Sequence, residues 1–181
     1  MNKLVILNMI LALSLSGCAV MSKSECQNAN WELIGQRDGI SGAGSLSQAR
    51  GQACAKHQIN MNRKQYLDGY RKGIQTYCTP QTVFDYALSG KGNYQNCPLE
   101  MHTELRPYYN VAANYYAAKS KLESIENTLA SARKNLNQAE KKESRDYYRG
   151  QITESSELLP QARRNFDEAQ RSLELFKREK Y

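Results

Sequence analysis

After Lys3 the chain runs uncharged from Leu4 to Ser16, an apolar stretch that gives way to Ser16-Gly17. That length and those flanks fit a secretory signal and fall short of a membrane-spanning helix. From Cys26 to about Gly44 no apolar period is sustained. Gly, Asn and Ser are frequent there, and Asp38-Gly39 and Ser41-Gly42-Ala43-Gly44 supply turn residues, so the pattern predicts an ordered loop pinned by Cys26 and Trp31. Ser45, with Gln48 three residues on, has the spacing of a capping box and opens a predicted helix whose face runs Leu46, Ala49, Ala53 and His57, ending near Ile59. A second predicted helix starts at Asn62 and continues to Tyr77-Cys78. Thr79-Pro80 then reads as N-cap and first residue of a short helix through Leu88, stopped by Gly90 and Gly92.

Within the second helix, Tyr66, Gly69, Gly73 and Tyr77 share one face, two bare backbone positions framed by rings. A glycine inside a helix costs roughly 1 kcal/mol against alanine, so two of them argue for a tight crossing with another helix or a loop. Asp68, Arg71 and Lys72 in the same turns exclude a membrane dimer built on Gly-xxx-Gly. The functional alternative is a glycan or peptide groove floored by these glycines. Tyr108 and Tyr115, at the base of the arm with Tyr109 and Tyr116, are expected to mate head with arm and, if exposed, would suit sugar faces or another protein; with Trp31, Tyr66, Gly69, Gly73 and Tyr77 they make up the candidate binding surface.

Beyond Cys97-Pro98 cysteine and tryptophan vanish, glycine falls to Gly150 alone, and long-helix residues dominate. Leu122, Ile125, Leu129, Ala132, Leu136 and Ala139 alternate three and four apart, and Leu159, Ala162, Phe166, Ala169, Leu173 and Phe176 do so again, out of phase by two. The phase change predicts a break near Ser144 to Gly150 between two amphipathic helices folded as an antiparallel hairpin. Pro160 must kink the second helix or mark its start. A helix from Pro107 to about Asp146 would span roughly 60 Å, long enough to project as an arm or to fold back along the head. The predicted fold class is mainly α, a small disulfide-clamped helical head over 26–104 followed by a coiled-coil-like helical hairpin over 105–181.

Charge changes this picture little. The 181 residues carry 25 Lys and Arg against 18 Asp and Glu, with the signs interleaved. Nucleic acid is excluded as an expected partner because no one-signed stripe forms, whereas attraction to anionic lipid or wall polymer stays open. Cysteine changes it more. Cys26, Cys54, Cys78 and Cys97 are even in number, lack Cys-x-x-Cys spacing, and behind an export signal read as two disulfides. Three connectivities are possible, and the pairing that closes two local loops, Cys26 with Cys54 and Cys78 with Cys97, is favoured. His57 and His102 are not spaced for zinc, and no metal or cofactor is expected.

Leu15-Ser16-Gly17-Cys18 resembles a bacterial lipobox. That resemblance implies cleavage before Cys18, diacylglycerol on its thiol and an acyl chain such as palmitate on its amine. Residues 1–17 would then be a lipoprotein signal peptide and 18–25 a lipidated tether. Several buried acyl chains hold a protein stably where one does so marginally. Ala19 rather than Asp follows the cysteine. By resemblance to Gram-negative lipoproteins this implies an outer-membrane location, on the periplasmic face.

Cys26 with Trp31, Gly35, Asp38-Gly39 and Gly42, then Cys54, then Tyr66, Gly69, Gly73 and Tyr77-Cys78, then Gly90, Tyr94 and Cys97, resemble a domain-of-unknown-function family of bacterial lipoproteins. The resemblance covers roughly 18–97, with a helical C-terminal extension of the kind its members carry, and implies no activity. Enzymatic candidates are thin: Asp38 with His57 as an acid–base pair, or Ser41 or Ser45 as a nucleophile. The leading reading is therefore a lipid-anchored structural or protein-interaction module. Its partners would be the membrane, through the lipid, and an envelope protein or a second copy, through the helices. A peptidoglycan-binding module using Tyr and Arg residues near the head–arm junction is the alternative, and a hydrolase comes behind it.

Overall fold

The computed structural model describes residues 21–180. The expected signal peptide 1–17, Cys18 and the residues up to Val20 lie outside the described residues, as does Tyr181. At the centre of the head two helices cross, α2 (Trp31–Ile40) and α4 (Arg63–Tyr77). The expected loop over 26–44 is thus corrected. Asn30 caps α2 by accepting from the Leu33 amide at 3.0 Å, and the chain is helical from there to Ile40. Glycine lowers helix propensity locally, but here Gly35 and Gly39 face Gly69 and Gly73 across the crossing, and tertiary contact outweighs that propensity. A β-carbon on Gly35 would stand 2.0 Å from the Tyr66 carbonyl oxygen, and one on Gly73 2.1 Å from that of Gln36. Only bare backbone permits helices this close, and a Lys72–Glu32 ion pair ties their outer edges.

Around this crossing sit α1 (Lys23–Gln27), α3 (Ser47–Ala55) and α5 (Pro80–Leu88). The structure pairs Cys26 with Cys54, joining α1 to α3, and Cys78 with Cys97, joining the end of α4 to the turns before the arm, with Cα–Cα distances of 5.5 and 5.7 Å. Helix α4 is capped by Asn62, and α5 by Thr79 with Pro80 behind it, as the residue types predict. The Ser45 capping box does not form. Helix α3 starts at Ser47 with Leu46 at its cap and no side-chain bond there, and it ends at Ala55 rather than near Ile59. Gln58 turns left-handed, φ 60°, so that the Ile59 amide returns to the Cys54 carbonyl.

Part of the segment expected as a tether, 18–25, lies within the described residues. Met21 is 3% exposed, packed with Cys26, Trp31, Cys54 and Tyr66, and Ser22 caps α1 in a reciprocal box with Glu25. Residues 21–25 thus pack with the head.

The arm consists of α6 (His102–Gln138) and α7 (Lys142–Lys180). The break falls at 139–141, not at Ser144 to Gly150. The seam of α7 continues back through Ser155, Ile152 and Tyr148, where the serine and the tyrosine hide its period, and Ser155 is buried there. Both Pro107 and Pro160 lie inside helices, and α6 starts at His102. A cluster of Phe84, Ala87, Ala112 and Leu173 locks α5 to the arm's base. From Leu105, buried in the head, to Ala139 at the turn, α6 extends roughly 50 Å at 1.5 Å per residue. Two further clusters complete the head: Met21 to Tyr66 at the start of α4, and Ile74, Tyr77 and Leu105 at its end. The N-terminal seat and the arm's base thus occupy opposite ends of α4.

Candidate binding surfaces

The groove expected over Gly69 and Gly73 is filled. Helix α2 lies directly on both glycines, so Trp31, Tyr66, Gly69, Gly73 and Tyr77 are buried and do not form a surface. The physical reason is the reciprocal glycine pair on α2, which turns an open floor into a helix crossing. Tyr66 instead anchors a polar network. Its hydroxyl donates to Asp38 Oδ2 at 2.6 Å and accepts from the Leu46 amide at 2.9 Å. Arg50 donates from Nε and Nη2 to the two Asp38 oxygens at 2.8 and 2.7 Å. Burial first, and the bond to Asp38 second, push the Tyr66 phenol up to about 12, while Asp38 raises the Arg50 guanidinium. Tyr77 lies under Gly42 and Gly92, both at positive φ, where a β-carbon would strike its ring. Burial pushes its phenol up to about 12 as well.

Asp38 and His57 do not meet as an acid–base pair. Both Asp38 oxygens are engaged by Arg50 and Tyr66, and His57 is exposed just past α3. Ser41 donates to the Asp38 carbonyl at 2.6 Å, and Ser45 accepts from the Ser47 amide at 3.4 Å. Each of these side chains thus has a local structural partner. Among the described residues no group of three or more His, Cys, Asp or Glu could hold a metal, and no helix is long and apolar enough to cross a membrane.

Tyr108 and Tyr115 are half-buried at the joint between head and arm. Tyr108 meets Phe176 edge-on at 5.1 Å, Tyr115 meets Phe166 at 5.7 Å, and Phe84 stacks on Phe176 at 6.0 Å. These rings mate α5, α6 and α7. Among the described residues several recesses remain open, three of them relevant here. One of about 530 Å³ lies beside Met21 between α1 and α2, with Leu33, Ile34 and Arg37 on its walls. A groove of about 650 Å³ runs between α6 and α7 past Val111, Ala117 and Ala169. At the arm's tip a recess of about 330 Å³ is lined by Asn135, Gln138, Glu140, Lys141, Ser144 and Tyr148. Sequence reasoning missed the tip because charge summed over the whole arm conceals it. The readable signal was Tyr147-Tyr148 set among Lys141, Lys142, Arg145 and Arg149.

Residues 30–114 match the model of a family described as a protein of unknown function (DUF2799). The matched stretch is similar to that uncharacterised domain family. It runs from the cap of α2 into α6, leaving Met21, α1, the hairpin turn and all of α7 outside it. No curated protein and no solved structure matches the chain.

Proposed function

We propose that this is a lipid-anchored, periplasm-facing protein of the outer membrane that acts as a structural or protein-interaction module through its helical arm. The single observation that carries the reading is the division of labour in the molecule. In the head, Asp38, Arg50 and Tyr66 bond to one another, while the arm leaves long faces of both helices open to solvent. Leu15-Ser16-Gly17-Cys18 supports lipid attachment, Ala19 supports the outer membrane, and two disulfides in the head support an oxidising compartment. Met21 supports a close seat on the bilayer, since Ala19 and Val20 alone separate the buried residue from Cys18. At about 3.3 to 3.6 Å per residue that leash holds the head against the lipid surface and leaves the arm to reach.

The test is metabolic labelling with palmitate in a Gram-negative host, followed by membrane fractionation. The wild-type chain should take up label and fractionate with the outer membrane, and Cys18→Ser should abolish both. A wild-type chain that stays unlabelled and retains its leader would refute the proposal.

A further inference from the structure

We infer that the tip of the arm is a binding site for a wall polymer of sugar rings carrying carboxylate-bearing peptides. The inference deepens the envelope reading above and rests on it only for the compartment in which such a polymer is met. Charge is the first observation. Between Arg133 and Arg149 there are six basic residues against three acidic, whereas the rest of 105–181 holds nine against eight. The arm's excess positive charge is thus gathered at its far end. Arg133, Lys134, Lys141, Lys142, Arg145 and Arg149 are all exposed, and among the described residues Arg149 alone of these has an ion pair, with Asp146 at 3.5 Å. Exposed, unpaired cations on a narrow end draw polyanions and raise the encounter rate.

The second observation is aromatic. Tyr147 is 61% exposed, unusually open for so large a ring, yet it is held in place. Gln151 donates to its hydroxyl at 3.0 Å, and Tyr148 packs edge-on against it with centroids 5.3 Å apart. A ring fixed before binding loses little rotamer freedom when a sugar face stacks on it. The third is the recess lined by its neighbour Tyr148, where Asn135, Gln138 and Ser144 offer amide and hydroxyl groups suited to sugar hydroxyls, Glu140 an acceptor for them, and Lys141 a cation for a carboxylate. Together these offer a ring for a sugar face, polar groups for its hydroxyls and cations for carboxylates, the three features a charged glycopeptide combines. The tip stands roughly 50 Å along α6 from the head. It is therefore the part of the molecule that meets a layer lying off the membrane.

The test uses the full-length chain in detergent micelles, mixed with purified sacculi and centrifuged. The wild type should co-sediment and be released as salt is raised. Lys141→Glu with Lys142→Glu, and separately Tyr147→Ala, should each cut retention at least tenfold with thermal melting unchanged. Lys141→Gln with Lys142→Gln serves if the charge reversal perturbs folding. Arg164→Glu with Arg171→Glu, exposed on the shaft of α7, should retain binding. Sacculi stripped of stem peptides should hold the protein less well but still depend on Tyr147. A wild type left in the supernatant, a tip variant that sediments as fully as wild type, or a shaft variant that falls as far as the tip variants would each overturn the inference. None of these outcomes depends on acylation, so failure here and failure of palmitate labelling are separable.

Discussion

A β-carbon placed on Gly69 would stand 1.9 Å from the Glu32 carbonyl oxygen, whereas one on Gly150 would meet nothing within 4 Å. Both are interior helical glycines, so their local propensities are alike and the difference is tertiary. Gly69→Ala should force the α2–α4 crossing apart and cost about 3 kcal/mol. Gly150→Ala should stabilise by about 0.5 to 1 kcal/mol. Urea unfolding of the two variants checks both signs, and equal effects would discard the crossing as the reason. The buried phenols give a second residue-scale outcome. Tyr66 and Tyr77 are each raised from the ordinary value near 10 to about 12, so the stabilisation of the neutral rings is whole below pH 10 and drains away as pH climbs through 12. Absorbance titration should show a late-ionising class among the twelve tyrosines, and head stability should fall across the same window. A single titration near 10 would contradict the buried placement. Gly69 and Gly73 were legible as packing residues because they sit in an otherwise clear helix. Gly35 and Gly39 were not, because glycine with Asp and Ser signals a turn until its partner is known.

At the scale of elements, the helices that could be read are those whose ends carry their own chemistry. Asn62 and Thr79-Pro80 cap α4 and α5 by bonds to amides three residues on, a local matter that spacing exposes. Helix α3 lacks such a bond at Leu46 and is held instead by the disulfide to α1, the pairing favoured for closing a local loop, which says nothing of where the helix starts. That bridge closes a separation of 28 residues, which in the loop-entropy picture contributes about 3 to 4 kcal/mol. Cys26→Ser with Cys54→Ser should lower head stability by that amount and release Met21 from its seat, while the long helices keep their ellipticity. Circular dichroism with chemical unfolding checks this. A double variant as stable as wild type would mean that α1 and α3 hold together without the bond. The hairpin turn was misplaced for the opposite reason. A serine at the buried seam position 155 and a tyrosine at 148 interrupt the apolar period, although the helix itself does not stop.

For the whole molecule, fold class and the order of head then arm follow from composition and heptad spacing, both of which average over many residues. The surfaces do not, because a surface is defined by what other elements leave uncovered. The aromatic face of α4 looked open until α2 was laid on it, and the tip looked ordinary until the turn gathered its lysines and tyrosines. The seat of Met21 also orders events in time. On the proposed route the chain is cut ahead of Cys18, three positions before Met21, which packs against Cys54. A peptidase that had to draw the chain out past Cys18 would then find it freer before the oxidised head closes than after.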